Sequence, residues 1–189
     1  MQYRRGFLRT AAALGLVPLT ARLPLATAAG TADGPTLETI RGDWRALAPA
    51  GLALPSATDP EPRGEAQWRE ALSPQAFEVL FEEDTERPFS SPLNAEKRPG
   101  LYLCAACDLP LFSSQMKYDS GTGWPSFFTA IPEHLGTSTD FRLIWPRTEY
   151  HCVRCGGHQG HVFDDGPAPT GQRWCNNGLA LRFVAADPS

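Results

Sequence analysis

The sequence predicts a mainly β domain with short helices ahead of it, and three observations carry that reading. Beyond Pro99-Gly100 the chain alternates short apolar runs with turn residues. Between residues 65 and 81 apolar positions recur at helical spacing. Within the strand-and-turn region two Cys-x-x-Cys pairs, Cys104/Cys107 and Cys152/Cys155, are separated by 44 residues. Two such knuckles are what a four-thiolate tetrahedral metal site requires.

Residues 1–28 have the layout of an export signal. Arg4-Arg5 precede an apolar stretch from Ala11 to Leu19, and Ala26-Thr27-Ala28 is a cleavage-type triplet. The paired arginines followed by Phe-Leu resemble a twin-arginine signal. Gly15 and Pro18 interrupt the apolar run too early for an ordinary membrane span; an uncleaved anchor is the alternative. From Ala29 onward the chain has 13 basic and 21 acidic residues, a formal charge of −8. That balance argues against nucleic acid or an anionic membrane surface as a partner. The compartment expected from this address is the periplasm, and the remainder of the chain suits one domain with one core.

Residues 29–64 carry no sustained period and read as an irregular extension, with short pieces such as Trp44 to Leu47 available for packing. Trp68 and Leu72 are four apart. Ser73-Pro74 then starts a second helix, with serine as cap and proline in the first turn. Phe77, Leu80 and Phe81 form its apolar face. Leu101 to Leu103, Arg147 to His151 and Leu179 to Val184 read as strands. Turns fall at Asp119 to Gly123 and Asp164 to Pro167.

With all four positions filled by protein sulfur, a Cys104/Cys107/Cys152/Cys155 zinc site is structural, because no position is left for substrate. Such sites contribute about 10–16 kcal/mol of binding free energy, against about 2–4 for a disulfide. An oxidising compartment makes redox dithiols or disulfides the alternative. A twin-arginine route moves folded proteins with metal in place, so the two readings support each other.

The fifth cysteine, Cys175, lies in Arg173-Trp-Cys-Asn-Asn. As a strand this puts Arg173, Cys175 and Asn177 on one face. A neighbouring guanidinium favours the thiolate, the nucleophilic form, and is expected to lower the Cys175 pKa. The alternative is a small buried hydrophobe. Gly157-His-Gln-Gly-His161 supplies His158 and His161, natural proton donors, with turn histidines or extra metal ligands as the alternative. Trp124, in a Gly-Trp-Pro loop, can wall a pocket for a small apolar group.

Gly100-Leu-Tyr-Leu-Cys-Ala-Ala-Cys, Lys117-Tyr-Asp-Ser-Gly-Thr-Gly-Trp-Pro-Ser-Phe, Cys152-Val-Arg-Cys-Gly-Gly-His-Gln-Gly-His-Val-Phe-Asp-Asp-Gly-Pro and Arg173-Trp-Cys-Asn-Asn together resemble the peptide-methionine (R)-S-oxide reductases, the B-type methionine sulfoxide reductases. The resemblance spans residues 65–184. It implies a mostly antiparallel β domain with a structural zinc, acting on the R epimer of methionine sulfoxide in oxidised proteins. It assigns Cys175 as nucleophile, His158, His161 and Asp165 as a polar cradle, Arg173 and Asn177 as flanking groups, and Trp124 as the methyl-binding wall. It further implies a sulfenic acid on Cys175, reset by a thioredoxin-like protein or a small thiol.

The chain also departs from that pattern. Thr122 stands where many relatives have a resolving cysteine. Gln159 replaces a usual leucine, Trp174 a usual phenylalanine or tyrosine, Asn176 an apolar residue and Gly178 a serine. Two rivals, a non-catalytic zinc-bound binding module and a dithiol oxidoreductase, differ from this reading in what they ask of Cys175 and of the paired cysteines.

Overall fold

The computed structural model describes residues 34–141 and 146–188. The proposed signal, residues 1–28, lies outside them. Among the described residues, nine strands form two antiparallel sheets. The smaller has the order β2-β1-β9, from β1 (Gly100–Cys104), β2 (Pro110–Ser113) and β9 (Leu181–Ala185). The larger has the order β3-β4-β8-β7-β6-β5, from β3 (Lys117–Tyr118), β4 (Ser126–Phe127), β5 (Leu135–Asp140), β6 (Arg147–Cys152), β7 (His158–Phe163) and β8 (Arg173–Asn176). Among the described residues no helix is long and apolar enough to cross a membrane.

β1 is a continuous apolar run because it is central to its sheet, with all five residues buried. Tyr102 pairs with Phe112 on one side and Phe183 on the other. From the second sheet, Phe127 stacks on Phe112 at 4.0 Å and meets the Tyr102 ring edge-on at 5.0 Å. Each such pair contributes about 0.5–1.5 kcal/mol beyond the burial of its rings. This aromatic cluster is the joint between the sheets.

Among the described residues, three short helices precede the sheets: α1 (Leu37–Gly42), α2 (Glu65–Ala71) and α3 (Pro74–Phe81). α3 starts as its sequence requires, with Ser73 Oγ accepting the Ala76 amide at 3.2 Å. It buries Phe77, Val79 and Leu80. Leu179 and Ala180, read as the start of the last strand, instead form a 3-10 turn, and β9 begins at Leu181.

The extension is more ordered than its lack of period suggests. α1 is capped by Thr36, whose Oγ1 accepts the Thr39 amide. A 3-10 turn (Asp43–Leu47) follows it and buries Trp44 against His134, with ring centroids 5.6 Å apart. Arg41 Nε donates to Thr129 Oγ1 at 2.6 Å. Farther on, Glu61 is ion-paired to Arg154 at 2.8 Å, and the same Arg154 donates to the Cys107 carbonyl at 2.7 Å. The extension therefore clasps the second cysteine knuckle. These contacts are long-range, so periodicity could not signal them.

Candidate active site and metal centre

The four paired cysteines converge where β1 and β6 end. Their sulfurs all lie within 4.8 Å of one another. Cys104 Sγ is 3.6 Å from Cys155 Sγ, and Cys107 Sγ is 3.5 Å from Cys152 Sγ. Four sulfurs at about 2.3 Å from a tetrahedral zinc would be separated by roughly 3.8 Å, whereas a disulfide requires about 2.05 Å. The cluster therefore fits a metal ion. Three of the four cysteines are buried and Cys155 is partly buried. Hydrogen bonds from the neighbouring thiols, Cys104 first, hold Cys107 well below the ordinary thiol range.

Strand register builds the second site. Cys175 on β8 is directly opposite Ser126 on β4 and His161 on β7. His161 is in turn opposite Glu149 on β6, and Glu149 opposite Ser138 on β5. Residues opposite one another point to the same face and lie about 4.5–5.5 Å apart. One row of polar side chains thus runs across five strands, with Cys175 inside it. Trp174 and Asn176 alternate to the core face, where Tyr150 meets the Trp174 ring at 5.0 Å and donates to Asn176 Oδ1 at 2.8 Å. Gly160 is required beside this row, since a β-carbon there would run into the Cys175 carbonyl.

Cys175, His161, Asn177 and Trp124 line one cleft of about 120 Å³, together with Thr85 and Arg147. That is well below the roughly 300–1,000 Å³ of sites for drug-sized ligands, so it suits a single side chain. His161 Nε2 is 2.8 Å from Asp140 Oδ2, and Arg147 donates to the same oxygen at 2.6 Å. His158 is buried, with Nδ1 2.6 Å from Glu149 Oε1 and its ring centroid 5.5 Å from that of His161. Asp165 does not line this cleft. It grips Arg173 with two bonds of 2.8 and 2.9 Å, and so sets that guanidinium beside Cys175.

The expected depression of the Cys175 thiol is not what the site produces. Burial pushes its pKa above the ordinary value, while the Arg173 charge and then the Thr122 hydroxyl pull it down. Desolvation wins because the strand lies between covered neighbours, which a guanidinium two residues away does not reveal. Burial likewise holds His161 below its ordinary value, against the opposing pull of Asp140. With Asp140 accepting from Nε2, neutral His161 keeps Nδ1 free as a base.

Sequence reasoning assigned no role to Glu86, Asp140, Arg147 or Glu149, although Arg147-Thr-Glu149 is one of the motifs that carry the resemblance. Buried Glu86 organises the cleft from behind. Its carboxylate accepts the amides of Gly178 at 2.5 Å and Leu179 at 3.1 Å. Its own amide donates to Asn177 Oδ1 at 3.2 Å, and its carbonyl accepts from Trp124 Nε1 at 3.1 Å. Asn177 Nδ2 completes the set by donating to the Gln159 carbonyl at 3.2 Å.

Comparison with known proteins places this arrangement. The SelR domain model matches residues 72–185, more than half of the chain. The chain belongs to the SelR family. This SelR domain is 48% identical over 122 residues to the peptide methionine sulfoxide reductase MsrB of Methanosarcina barkeri, covering 64% of the chain and 86% of that protein. It is also 48% identical over 122 residues to the MsrB of Agrobacterium fabrum, covering 64% and 90%. With the MsrB of Thiobacillus denitrificans it shares 48% identity over 128 residues, covering 67% and 97%. The SelR match contains both cysteine knuckles and every residue of the Cys175 cleft named above, and leaves the clasping extension outside it.

Proposed function

We propose that this protein is a peptide-methionine (R)-S-oxide reductase, returning the R epimer of methionine sulfoxide in oxidised proteins to methionine. The observation that carries the reading is the cross-strand Cys175–His161 pair, set in a side-chain-sized cleft walled by Trp124. Trp124 offers an apolar face to the sulfoxide methyl group. Asn177, fixed by Glu86 and Gln159, holds the edge of the cleft.

Cys175 is held as a thiol at rest, so its proton has to leave before attack. His161, neutral and braced by Asp140, takes that proton on Nδ1, as a carboxylate-oriented histidine does in a hydrolase triad. The Cys175 thiolate attacks the sulfoxide sulfur. The sulfur–sulfur bond so formed leaves the sulfoxide oxygen negative, and His161 passes it the same proton. That hydroxyl moves to the Cys175 sulfur as the sulfur–oxygen and sulfur–sulfur bonds break, and methionine leaves. The oxygen stays on Cys175 as a sulfenic acid. Two equivalents of an external thiol then restore Cys175, releasing water and a disulfide; a thioredoxin-like protein or a small thiol fills that role.

Cys104, Cys107, Cys152 and Cys155 would hold one zinc ion, which supplies structural closure and no chemistry at the cleft. We assign Arg4-Arg5 and Ala26-Thr27-Ala28 to a twin-arginine signal and the mature enzyme to the periplasm, with export following metal binding. The reading is tested by offering the purified protein separate R and S epimers of a methionine sulfoxide peptide with a chemical thiol reductant. Turnover of the R epimer alone is expected. Turnover of the S epimer alone, or of neither, would overturn the assignment.

A further inference from the structure

Phe89 combines two unfavourable states. It is 72% exposed, and its backbone sits at φ +63°. Among the described residues, the other non-glycine residues at positive φ are Glu83, Asp108 and Glu133, all polar. A bulky side chain in the left-handed region costs about 1–3 kcal/mol, and an exposed ring recovers little of that by burial. The surrounding bonds nevertheless fix it there. Phe89 donates its amide to the Gly123 carbonyl at 2.7 Å, and Ser90 Oγ donates to the Arg87 carbonyl at 2.6 Å. Gly123 is itself at φ +96°, and a β-carbon there would come within 2.9 Å of the Phe89 nitrogen. The turn and the loop are shaped around each other to hold the ring outward.

What the ring faces gives the strain a purpose. Phe89 and Trp124 line a second cleft of about 220 Å³ with Ala95 and Tyr118, and the polar Asn94, Lys117 and Asp119 also line it. Trp124 also walls the Cys175 cleft. The two clefts are therefore neighbours that share one indole. An extended polypeptide advances about 3.3–3.6 Å per residue, so a chain with its sulfoxide at Cys175 carries an adjacent side chain past Trp124.

We propose that the Phe89–Trp124 cleft is a subsite for an apolar or aromatic side chain next to methionine sulfoxide in the polypeptide substrate, with Phe89 the residue that sets the preference. This rests on the reductase reading above and adds to it a sequence context. The test compares kcat/KM for two blocked peptides carrying R-methionine sulfoxide beside either phenylalanine or lysine, together with N-acetyl-methionine R-sulfoxide amide. The wild-type protein is expected to prefer the phenylalanine peptide by about tenfold, the scale of partly burying one aromatic side chain. Phe89→Asn is expected to bring the ratio within twofold. Its melting temperature should rise or hold, because asparagine tolerates positive φ. Ala95→Asp, in the lining of the same cleft, should lower the ratio in the same direction, so the proposal does not hang on one variant. Equal rates on both peptides by the wild type, or an unchanged preference in both variants, would overturn it. Failure to reduce the small amide at all would instead strike the reductase reading itself.

Discussion

Asn176 Nδ2 donates to Gln159 Oε1 at 3.3 Å, and both side chains are fully buried. The contact belongs to a chain. Gln159 Nε2 reaches Cys104 Sγ at 3.5 Å, and Asn176 Oδ1 accepts from Tyr150 at 2.8 Å. The resemblance puts an apolar residue at each of positions 159 and 176, and in the fold the two amides that stand there meet. Removing Asn176 takes the donor from Gln159 Oε1, and removing Gln159 takes one acceptor from Asn176 Nδ2, which keeps the Asn177 carbonyl at 2.8 Å; a buried polar atom that loses its partner costs about 1–3 kcal/mol. Gln159→Leu and Asn176→Leu should each destabilise by that order, and the double variant should recover at least about 1 kcal/mol relative to their sum. Chemical denaturation of the four proteins measures this; strict additivity would deny the coupling.

The raised Cys175 pKa gives a signed pH dependence. The thiolate fraction in substrate-free protein should climb with pH, with a midpoint above the roughly 8.5 of a free cysteine. Arg173→Ala removes the opposing charge, so its midpoint should move higher still. The rate of alkylation of Cys175 against pH reads both. A midpoint below 8 in the wild type would mean that Arg173 prevails over burial.

Removing the proton relay should slow the chemical step. His161→Ala is expected to lose about 10²-fold or more in kcat, and Cys175→Ser essentially all activity, with fold and metal retained. Asp140→Asn keeps the shape but withdraws the charge bracing His161, and should fall between these and the wild type. Single-turnover rates decide; an unaffected His161→Ala enzyme would assign the proton to another group.

Substituting any one of Cys104, Cys107, Cys152 or Cys155 by serine should lower bound zinc and folding stability together. Metal analysis beside thermal unfolding tests it. A fully stable, metal-free protein would remove zinc from the description.

The Thr122 hydroxyl is beside the Cys175 sulfur, and the other four cysteines are gathered in a cluster that could hold a metal ion. One turnover without reductant should therefore leave a sulfenic acid on Cys175 that a dimedone-type reagent traps. In Thr122→Cys the product should become an internal disulfide instead, visible as a loss of two thiols by mass spectrometry. An internal disulfide in the wild type would show that a cluster cysteine can leave its site.

The sequence reveals most where chemistry depends on spacing. The knuckles, the capped α3 and the Arg173-to-Asn176 strand are all local patterns with local causes. β5 escaped notice because Gly136-Thr-Ser-Thr-Asp140 is largely exposed and carries no apolar alternation. Asp140 reaches His161 only through pairing across β5, β6 and β7. The Cys175 pKa failed for the same reason: its charged neighbour is adjacent in the chain, whereas its burial comes from distant strands. Trp44 and Glu61 find their partners about 90 residues away, beyond any periodicity.

The four-cysteine cluster also imposes an order on synthesis. Cys107 and Cys155 lie on knuckles that the ribosome makes 48 residues apart, which at roughly 5–20 residues per second is a wait of about 2–10 s. Throughout that interval the first pair is a bare dithiol, without the partners that will later surround it. Emerging into a reducing cytosol, it stays open until the second pair arrives. Emerging as an unfolded thread into an oxidising space, it would be exposed to disulfide formation before the cluster could assemble. The distance between two short motifs thereby makes the redox state of the birthplace a condition for reaching the native protein.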